Sequence, residues 1–209
     1  VSNSGEENKN IESCISLWKN LSDFSGDRKS LIINLGGGVV GDMGGFIAST
    51  FKRGIDYINI PTTLLSMVDA SIGGKTGIDL GILKNQVGTF YDPKMVIIDP
   101  LYLNTLEDSE ILSGYAEIFK HSIISDLKNF DKLTSNNEDL DFKNIDIIKA
   151  SIEIKNRIVL LDPKEEKKRK ALNFGHTLGH SIESFFLKSK NRLLHGEAIA
   201  IGIILASYI

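Results

Sequence analysis

Apolar residues recur along this chain with two kinds of spacing, and each kind predicts a different element. Residues 10–21 predict an amphipathic helix, because Ile11, Ile15, Leu17 and Leu21 recur near helical spacing. Short apolar runs predict three strands, at 30–35, 57–61 and 95–99. The first run ends at glycines and is typical of a buried strand, whereas the other two end at prolines. Helical spacing resumes at 43–51 between the first two strands.

The pattern changes after Pro100, where long helical periods with charged faces, such as 142–162, replace the strands. Strands that alternate with helices indicate a parallel sheet. The predicted fold class is therefore an α/β N-terminal part, a truncated Rossmann-like parallel sheet, followed by a mainly α-helical domain. We expect the boundary near 104–110, with domains at 1–106 and 107–209. The missing initial Met and the apolar final run 196–209 lead us to expect that both ends of the natural protein are absent.

Composition narrows the functional classes. The chain has 209 residues, with 24 Lys and Arg against 27 Asp and Glu, a net charge of −3. This near balance disfavours an electrostatic nucleic-acid or membrane binder. The single cysteine, Cys14, excludes an intrachain disulfide and fits a reducing compartment. We expect Cys14 to be a small buried apolar residue. With no apolar run of membrane-spanning length, we expect a cytoplasmic protein, unless an upstream targeting segment has been lost.

A glycine-rich turn follows the first predicted strand and precedes a helix. Gly36, Gly38 and Gly41 satisfy G-x-G-x-x-G in the context that this motif requires for nucleotide or phosphate binding. The alternative is an ordinary glycine-rich turn between strand and helix. Thr62 and Thr63 follow the second strand, where open α/β sheets bind ligands, although threonines there also cap helices.

Gly73-Gly74-Lys75-Thr76 looks like the end of a P-loop but lacks its first glycine, which excludes an ordinary P-loop NTPase. Other cations stand near the candidate sites, and each taken alone is typical of a solvated surface charge. Those beside Gly, Asn or Thr are candidate anion ligands, namely Lys75 and the pair Lys84-Asn85. The cations of this set are Arg53, Lys75, Lys84, Lys120, Lys155 and Arg169.

Three of the four histidines, His176, His180 and His195, fall within twenty residues, whereas His121 lies apart. His176 and His180 are four residues apart on one helical face, which is metal-ligand spacing and favours them as the imidazole pair. A carboxylate would have to complete a three-ligand catalytic site, and the candidates are Glu117, Glu183 and Glu197.

Taken together, the motifs resemble the dehydroquinate synthase family. The matching blocks run in the family's order and cover most of the chain. They are GEENK (5–9), LGGGVVGDMGGFIASTFKRG (35–54), IPTTLLSMVDASIGGKTGID (60–79), KNQVGTFYDP (84–93), TLEDSEILSGYAEIFKHSII (105–124), LNFGHTLGHSIE (172–183) and LLHGEAIAIG (193–202).

This resemblance implies the roles of the individual residues. It implies an NAD site formed by Glu6, Lys9, Gly37, Gly38, Val39, Val40, Gly41, Asp42, Thr62, Thr63, Lys75, Lys84, Tyr102, Thr105, Leu106 and Glu110. It implies a divalent metal, zinc or else cobalt, on Glu117, His176 and His195, with His180 binding substrate phosphate instead, against the spacing argument. The implied substrate pocket consists of Asp69, Lys75, Asn85, Lys120, Lys155, Arg169 and Asn173. Arg53 would reach the phosphate in a neighbouring subunit, which implies a homodimer.

The chemistry implied is that of 3-dehydroquinate synthase, a lyase of the shikimate pathway to aromatic amino acids. NAD⁺ transiently oxidises the C5 hydroxyl of 3-deoxy-D-arabino-heptulosonate 7-phosphate, phosphate is eliminated, the ketone is reduced again, and an aldol step closes the ring. Because the family carries further segments at both ends, we expect the 1–209 chain itself to be weakly active or inactive. Three alternatives stay open: another sugar-phosphate cyclase, a metal-dependent polyol dehydrogenase, or a non-enzymatic binding fragment.

Overall fold

The computed structural model describes residues 5–81, 83–125, 143–186 and 193–209. It divides into two compact units, the first comprising Val1–Thr62 with Ala70–Asp99 and the second comprising Thr63–Asp69 with Pro100–Ile209. Among the described helices, none combines the length and the apolarity needed to cross a membrane.

The first unit is the α/β part. Its helices are α1 (Ile11–Asp23) and α2 (Gly38–Thr50), and its strands are β1 (Leu31–Gly36), β2 (Asp56–Pro61), β3 (Lys75–Leu80), β4 (Leu83–Phe90) and β5 (Met95–Val96). β1, β2 and β5 form a parallel sheet in that order, which confirms the predicted parallel α/β arrangement. α1 starts at Asn10, whose side chain accepts a hydrogen bond from the backbone of Ser13 and caps the helix.

The core of this unit lies between the sheet and the two helices. Met43, Phe46 and Ile47 of α2 pack with Cys14 of α1 and with Ile78 of β3. Cys14 has no exposed surface, which confirms its expected place as a small buried apolar residue. Burial raises the pKa of its thiol to about 11, so the unreactive protonated form predominates at neutral pH.

β1 corrects one detail of the pattern analysis. The strand is where the apolar run predicts it, but only one of its faces is buried. Because successive side chains point to opposite faces, Ile32 and Asn34 face α2, whereas Leu31, Ile33 and Leu35 are about half exposed. A fully buried strand needs other elements packed on both of its faces. In the described part of the chain, helices pack on only one face of β1.

The hairpin β3–β4 was not predicted. It is antiparallel, with Lys75 opposite Phe90 and Gly77 opposite Gly88. Two facing glycines contribute no side chains to an alternating pattern, so the sequence signal of these strands is weak. Lys75 therefore begins a strand and does not belong to a loop before a helix, in agreement with the exclusion of a P-loop.

The second unit is helical, as predicted. Its helices are α3 (Asp108–Ser125), α4 (Ile145–Leu161), α5 (His176–Phe186) and α6 (His195–Ala206), with shorter helical turns at Ser66–Ala70, Pro100–Thr105 and Lys168–Asn173. The predicted helix 142–162 corresponds to α4, although residue 142 itself lies outside the described residues. α6 packs against both α3 and α5, and α3 also packs against α4. This packing brings together side chains that are far apart in the sequence.

Candidate functional site

In the first unit, the glycine turn joins β1 directly to α2. β1 ends at Gly36, Gly37 precedes the first helical residue, and α2 begins at Gly38. The backbone N–H of Thr62 donates to the carbonyl of Gly36 at 3.0 Å, so the ends of β1 and β2 lie side by side. A Cβ added to Gly38 would lie 3.4 Å from the Cβ of Ala70, which is an ordinary van der Waals contact. Such a turn at a helix N-terminus can approach a phosphate closely.

A buried ammonium group connects this turn to the hairpin. Lys9 is 3% exposed, and its Nζ donates to Asp42 Oδ2 and to Asn85 Oδ1, each at 2.6 Å. Although burial by itself lowers the pKa of Lys9, the carboxylates of Asp42 and Glu6 raise it above its usual value. Lys84 lies 3.9 Å from the same Glu6 carboxylate. The structure thus brings together Glu6, Lys9, Asp42, Lys84 and Asn85, which the resemblance assigned to cofactor and substrate.

The remaining cofactor candidates belong to the second unit. Tyr102 and Thr105 lie in the turn Pro100–Thr105, followed by Leu106, and Glu110 lies in the first turn of α3. Thr63 accepts a hydrogen bond from the backbone N–H of Ser66 at 3.2 Å, so it caps the turn that follows, as the capping alternative proposed. Arg53, a candidate phosphate ligand, lies in the first unit instead, where it is exposed and has a left-handed backbone with φ of 69°.

The centre of the second unit is a buried carboxylate between two imidazoles. Oε1 of Glu117 lies 3.7 Å from Nε2 of His176 and 3.7 Å from Nε2 of His195. Glu117 has no exposed surface, and its Oε1 has no hydrogen-bond partner among the described residues. Nitrogens of His176, His180 and His195 also lie within 4.8 Å of one another, with His180 exposed. Glu117 lies in α3, His176 in α5 and His195 in α6, so three helices form this cluster.

This trio fits a divalent cation. An unpaired buried carboxylate oxygen is costly unless a cation or a donor satisfies it. Two atoms bonded at about 2.1 Å to a tetrahedral zinc ion are about 3.4 Å apart, which is close to the observed spacing. One carboxylate and two imidazoles would leave a coordination position open for a substrate oxygen.

The electrostatic environment sets a different protonation state for each of the three residues. Burial raises the pKa of Glu117, but the Lys120 ammonium outweighs that effect and the pKa is about 2. Burial and the charge of Lys120 lower the pKa of His176 to about 4, so its imidazole is neutral and available as a ligand. Burial alone lowers the pKa of His195, yet the nearby carboxylates of Glu117 and Glu183 raise it to about 9, so a metal would have to displace a proton from this imidazole.

The other two candidate carboxylates have different surroundings. Glu183 Oε2 lies 3.3 Å from Nδ1 of His195, on the side of the ring that faces away from Glu117. Glu197 accepts a hydrogen bond at 2.7 Å from the backbone N–H of Leu194 and so caps α6. Of the three carboxylates that the sequence left open, only Glu117 faces the Nε2 atoms of both histidines.

Three of the six cations are buried, so the interpretation of each as a surface charge was wrong for Lys120, Lys155 and Arg169. Lys120 pairs with Glu117, and Lys155 pairs with Asp69 at 2.6 Å. Arg169 donates from Nη1 to the carbonyl of Pro163 at 2.6 Å. Each of these charges has a carboxylate or carbonyl partner that offsets its desolvation, which single-residue statistics do not reveal.

Glu165 contacts two of the implied substrate ligands, although no sequence pattern marks it. It has a left-handed backbone, with φ of 60°, and its Oε1 accepts a hydrogen bond from Asn173 Nδ2 at 2.6 Å. Its other oxygen lies 3.8 Å from Nε of Arg169. Asp162 shapes this loop by accepting from the backbone of three later residues, including Arg169 at 3.0 Å. The feature that marks Glu165 is its proximity to Asn173 and Arg169, and this proximity is visible only once the chain is folded.

Two glycines allow the helices to approach closely enough to form the trio. A Cβ on Gly196, at the start of α6, would collide with the backbone of Ser113 in α3. A Cβ on Gly202 would collide with the carbonyl of Gly175 and approach the backbone N of Gly179 to 2.7 Å. α6 therefore contacts its neighbours through backbone at both ends, which places His195 beside Glu117 and His176.

A parallel α/β unit with a glycine turn, followed by a helical unit with a carboxylate–imidazole cluster, defines a dehydroquinate synthase-like architecture. Solved structures of two sugar-phosphate cyclases are among those that share it. A 2-deoxy-scyllo-inosose synthase complexed with carbaglucose-6-phosphate, NAD⁺ and Co²⁺ has a TM-score of 0.87 at 30% identity, covering 99% of this chain and 58% of that one. The 2-epi-5-epi-valiolone synthase of Streptomyces hygroscopicus subsp. jinggangensis, with NAD⁺ and Zn²⁺ bound, has a TM-score of 0.82 at 29% identity, covering 97% and 57%.

The family models give a more specific assignment. The model of the 3-dehydroquinate synthase N-terminal domain matches residues 1–113, and that of the C-terminal domain matches residues 114–209. The chain therefore belongs to the 3-dehydroquinate synthase family. It is 48% identical to the 3-dehydroquinate synthase of Parabacteroides distasonis over all of its own length and 60% of that relative. The chain thus spans about three fifths of the length of this curated relative.

Proposed function

We propose that the gene product carrying this chain, at its natural length, is a 3-dehydroquinate synthase. It would convert 3-deoxy-D-arabino-heptulosonate 7-phosphate to 3-dehydroquinate and phosphate. The observation that carries the proposal is the position of Glu117 Oε1, 3.7 Å from Nε2 of both His176 and His195, in a chain of this family. The 48% identity to a 3-dehydroquinate synthase, against 30% and 29% to the two other cyclases, favours this substrate over theirs.

The cofactors of the proposed reaction are NAD and a divalent metal, with zinc as the first choice and cobalt as the second. When bound, NAD⁺ would accept and return one hydride while the metal acts as a Lewis acid on the substrate oxygen. Glu117, His176 and His195 would hold the metal. The turn Gly37–Asp42 would hold the pyrophosphate, with N–H groups at the start of α2 as donors.

The chain's own cations would bind and orient the anionic substrate. Lys155 is anchored on Asp69, and Arg169 on the carbonyl of Pro163, so both charged groups keep a fixed position without a ligand. A fixed cation loses little conformational freedom when it binds a phosphate or a carboxylate. His180 would contact the phosphate, and the departing phosphate itself would take the proton in its elimination. Lys75, Asn85, Lys120 and Asn173 are the other candidate substrate ligands.

The proposal extends to assembly and location. We propose that the active unit is a homodimer in which the exposed Arg53 reaches the phosphate bound by the neighbouring subunit. The side-chain charge and the exposure of Arg53 support such a role. We further propose a cytoplasmic enzyme, as expected for a chain with one buried free cysteine.

The decisive experiment supplies the natural-length protein with the heptulosonate phosphate, NAD⁺ and zinc, and follows phosphate release together with absorbance at the NADH band. We expect about one phosphate per 3-dehydroquinate and no steady NADH accumulation, because the hydride is returned. Continuous NADH accumulation without phosphate release would contradict the proposal and would indicate a polyol dehydrogenase.

The same assay separates the cyclases from one another. Glucose 6-phosphate and sedoheptulose 7-phosphate serve as competing substrates that lack the carboxylate. We expect turnover of the heptulosonate phosphate only, and preferred turnover of either competitor would move the assignment to another sugar-phosphate cyclase.

A further inference from the structure

The two imidazoles that face Glu117 both have an acceptor behind them. Nδ1 of His176 lies 3.3 Å from the backbone carbonyl of Phe174, and Nδ1 of His195 lies 3.3 Å from Oε2 of Glu183. An imidazole that binds a metal is neutral and carries its one proton on the other nitrogen, so an acceptor at Nδ1 leaves the lone pair of Nε2 for the ion. In both rings Nε2 is the nitrogen that faces Glu117 Oε1.

We propose that Glu183 is a positioning residue of the metal centre, one that accepts the Nδ1 proton of His195 and aims its Nε2 at the ion. The inference rests on the proposed metal site of Glu117, His176 and His195 and adds a residue to it. Glu183 is 7% exposed, and its helix, α5, also carries His176 seven residues earlier on the same face. One helix thus supplies one imidazole and the acceptor that orients the other.

Glu183 cannot exchange roles with Glu117. The two ring nitrogens of an imidazole point in different directions, so a carboxylate at Nδ1 of His195 does not reach an ion bound at Nε2. A negative charge behind the ring also makes Nε2 a stronger ligand, and losing such a partner typically weakens metal affinity by about 10–100-fold. The negative charge of Glu183 therefore contributes to metal affinity through His195 rather than by direct ligation.

The test measures zinc affinity of the natural-length protein by competition with a chromophoric chelator. We expect Glu183→Ala to weaken affinity by about 10–100-fold, and Glu183→Gln, which keeps an acceptor oxygen but no charge, to weaken it less. Ser184→Ala, at the exposed next position of α5, is the matched control and should bind zinc as the unaltered protein does.

A second readout reports the hydrogen bond itself. In the zinc-loaded protein with ¹⁵N-labelled histidine, the Nδ1 proton of His195 should resonate downfield, and it should shift upfield or exchange away in Glu183→Ala. Should that variant not fold, Glu183→Gln carries the test through its smaller affinity loss and its shifted resonance.

The outcomes separate the two proposals. Unchanged affinity and an unchanged Nδ1 resonance in both Glu183 variants would overturn the role of Glu183 and leave the proposed function standing. If the unaltered protein binds no divalent metal, the proposed metal centre itself fails, and this inference fails with it.

Discussion

Lys155 donates two hydrogen bonds to Asp69, one to Oδ1 and one to the backbone carbonyl, both at 2.6 Å. Lys155 is 7% exposed, so the pair is largely removed from water. Burial by itself raises the pKa of Asp69, but the ammonium groups of Lys155 and Lys120 lower it well below its usual range. The contact fixes the helical turn Ser66–Ala70 to α4 and keeps the lysine side chain in one position.

The first prediction concerns the loss of this pair. Lys155→Met removes the closest cationic partner of a partly buried carboxylate, and we expect the free energy of unfolding at pH 7 to fall by about 1–3 kcal/mol. The pKa of Asp69 is lower in the folded state than in the unfolded state. The ionised carboxylate therefore stabilises the fold at pH values above the ordinary carboxyl pKa. That contribution is lost as the pH falls toward the depressed value. Urea denaturation between pH 7 and pH 3 should therefore show the difference between the two proteins shrinking with acid.

Lys149→Met provides the control for this prediction, since Lys149 is an exposed lysine on the same helix. We expect a change within about 0.5 kcal/mol, as for most surface substitutions. Equal effects of the two substitutions would show that the Asp69 contact adds no stability.

The second prediction distinguishes the histidines. His176 and His180 have the spacing of a ligand pair, but only His176 has its Nε2 3.7 Å from the buried Glu117 oxygen, and His180 is exposed. We expect His176→Ala to lose most of its zinc after dialysis, whereas His180→Ala should keep about one ion per chain and lose turnover. Elemental analysis of both variants checks this, and equal zinc loss from His176→Ala and His180→Ala would favour the spacing-based pair.

The third prediction concerns the ammonium group beside the glycine turn. Lys9→Met leaves Asp42 without its 2.6 Å partner and releases Asn85, whose backbone has φ of 54°. We expect NAD⁺ affinity of the natural-length protein to fall by about tenfold, because Asp42 and Asn85 lose the donor that holds them beside the turn, and a hydrogen bond to a charged group contributes about 1.5–3 kcal/mol. Isothermal titration with NAD⁺ measures it, and Lys19→Met, an exposed change on α1, should leave the affinity unaltered.

Local pattern predicted the elements better than it predicted the site. The period at 10–21 identified α1, and the apolar runs identified β1 and β2, because a helix and a strand need one apolar face each. The hairpin β3–β4 escaped because Gly77 faces Gly88 across it. Pattern also could not tell that one face of β1 lacks cover, since that depends on which helices pack there.

The candidate metal site shows the same limit more sharply. Spacing along one helix can only pair neighbours, and it selected His176 with His180. The convergence of Glu117, His176 and His195 arises from the packing of three helices, which no local period encodes. The family resemblance supplied these three residues, and the fold adds the reason that Glu117, rather than Glu183 or Glu197, faces both rings.

The final prediction tests whether helix packing sets the metal site. Gly202→Ala places a methyl group against the carbonyl of Gly175 and the backbone N of Gly179, so α5 and α6 must separate. We expect a loss of about 1–3 kcal/mol in unfolding free energy, typical of overpacking, together with weaker zinc binding, because His176 and His195 lie on the separated helices. Ile204→Ala is the control on the same helix. The side chain of Ile204 is 59% exposed, so we expect this substitution to leave zinc affinity unchanged. If Gly202→Ala loses stability but binds zinc normally, the spacing of α5 and α6 does not limit the site, and the positions of the imidazoles must be set locally.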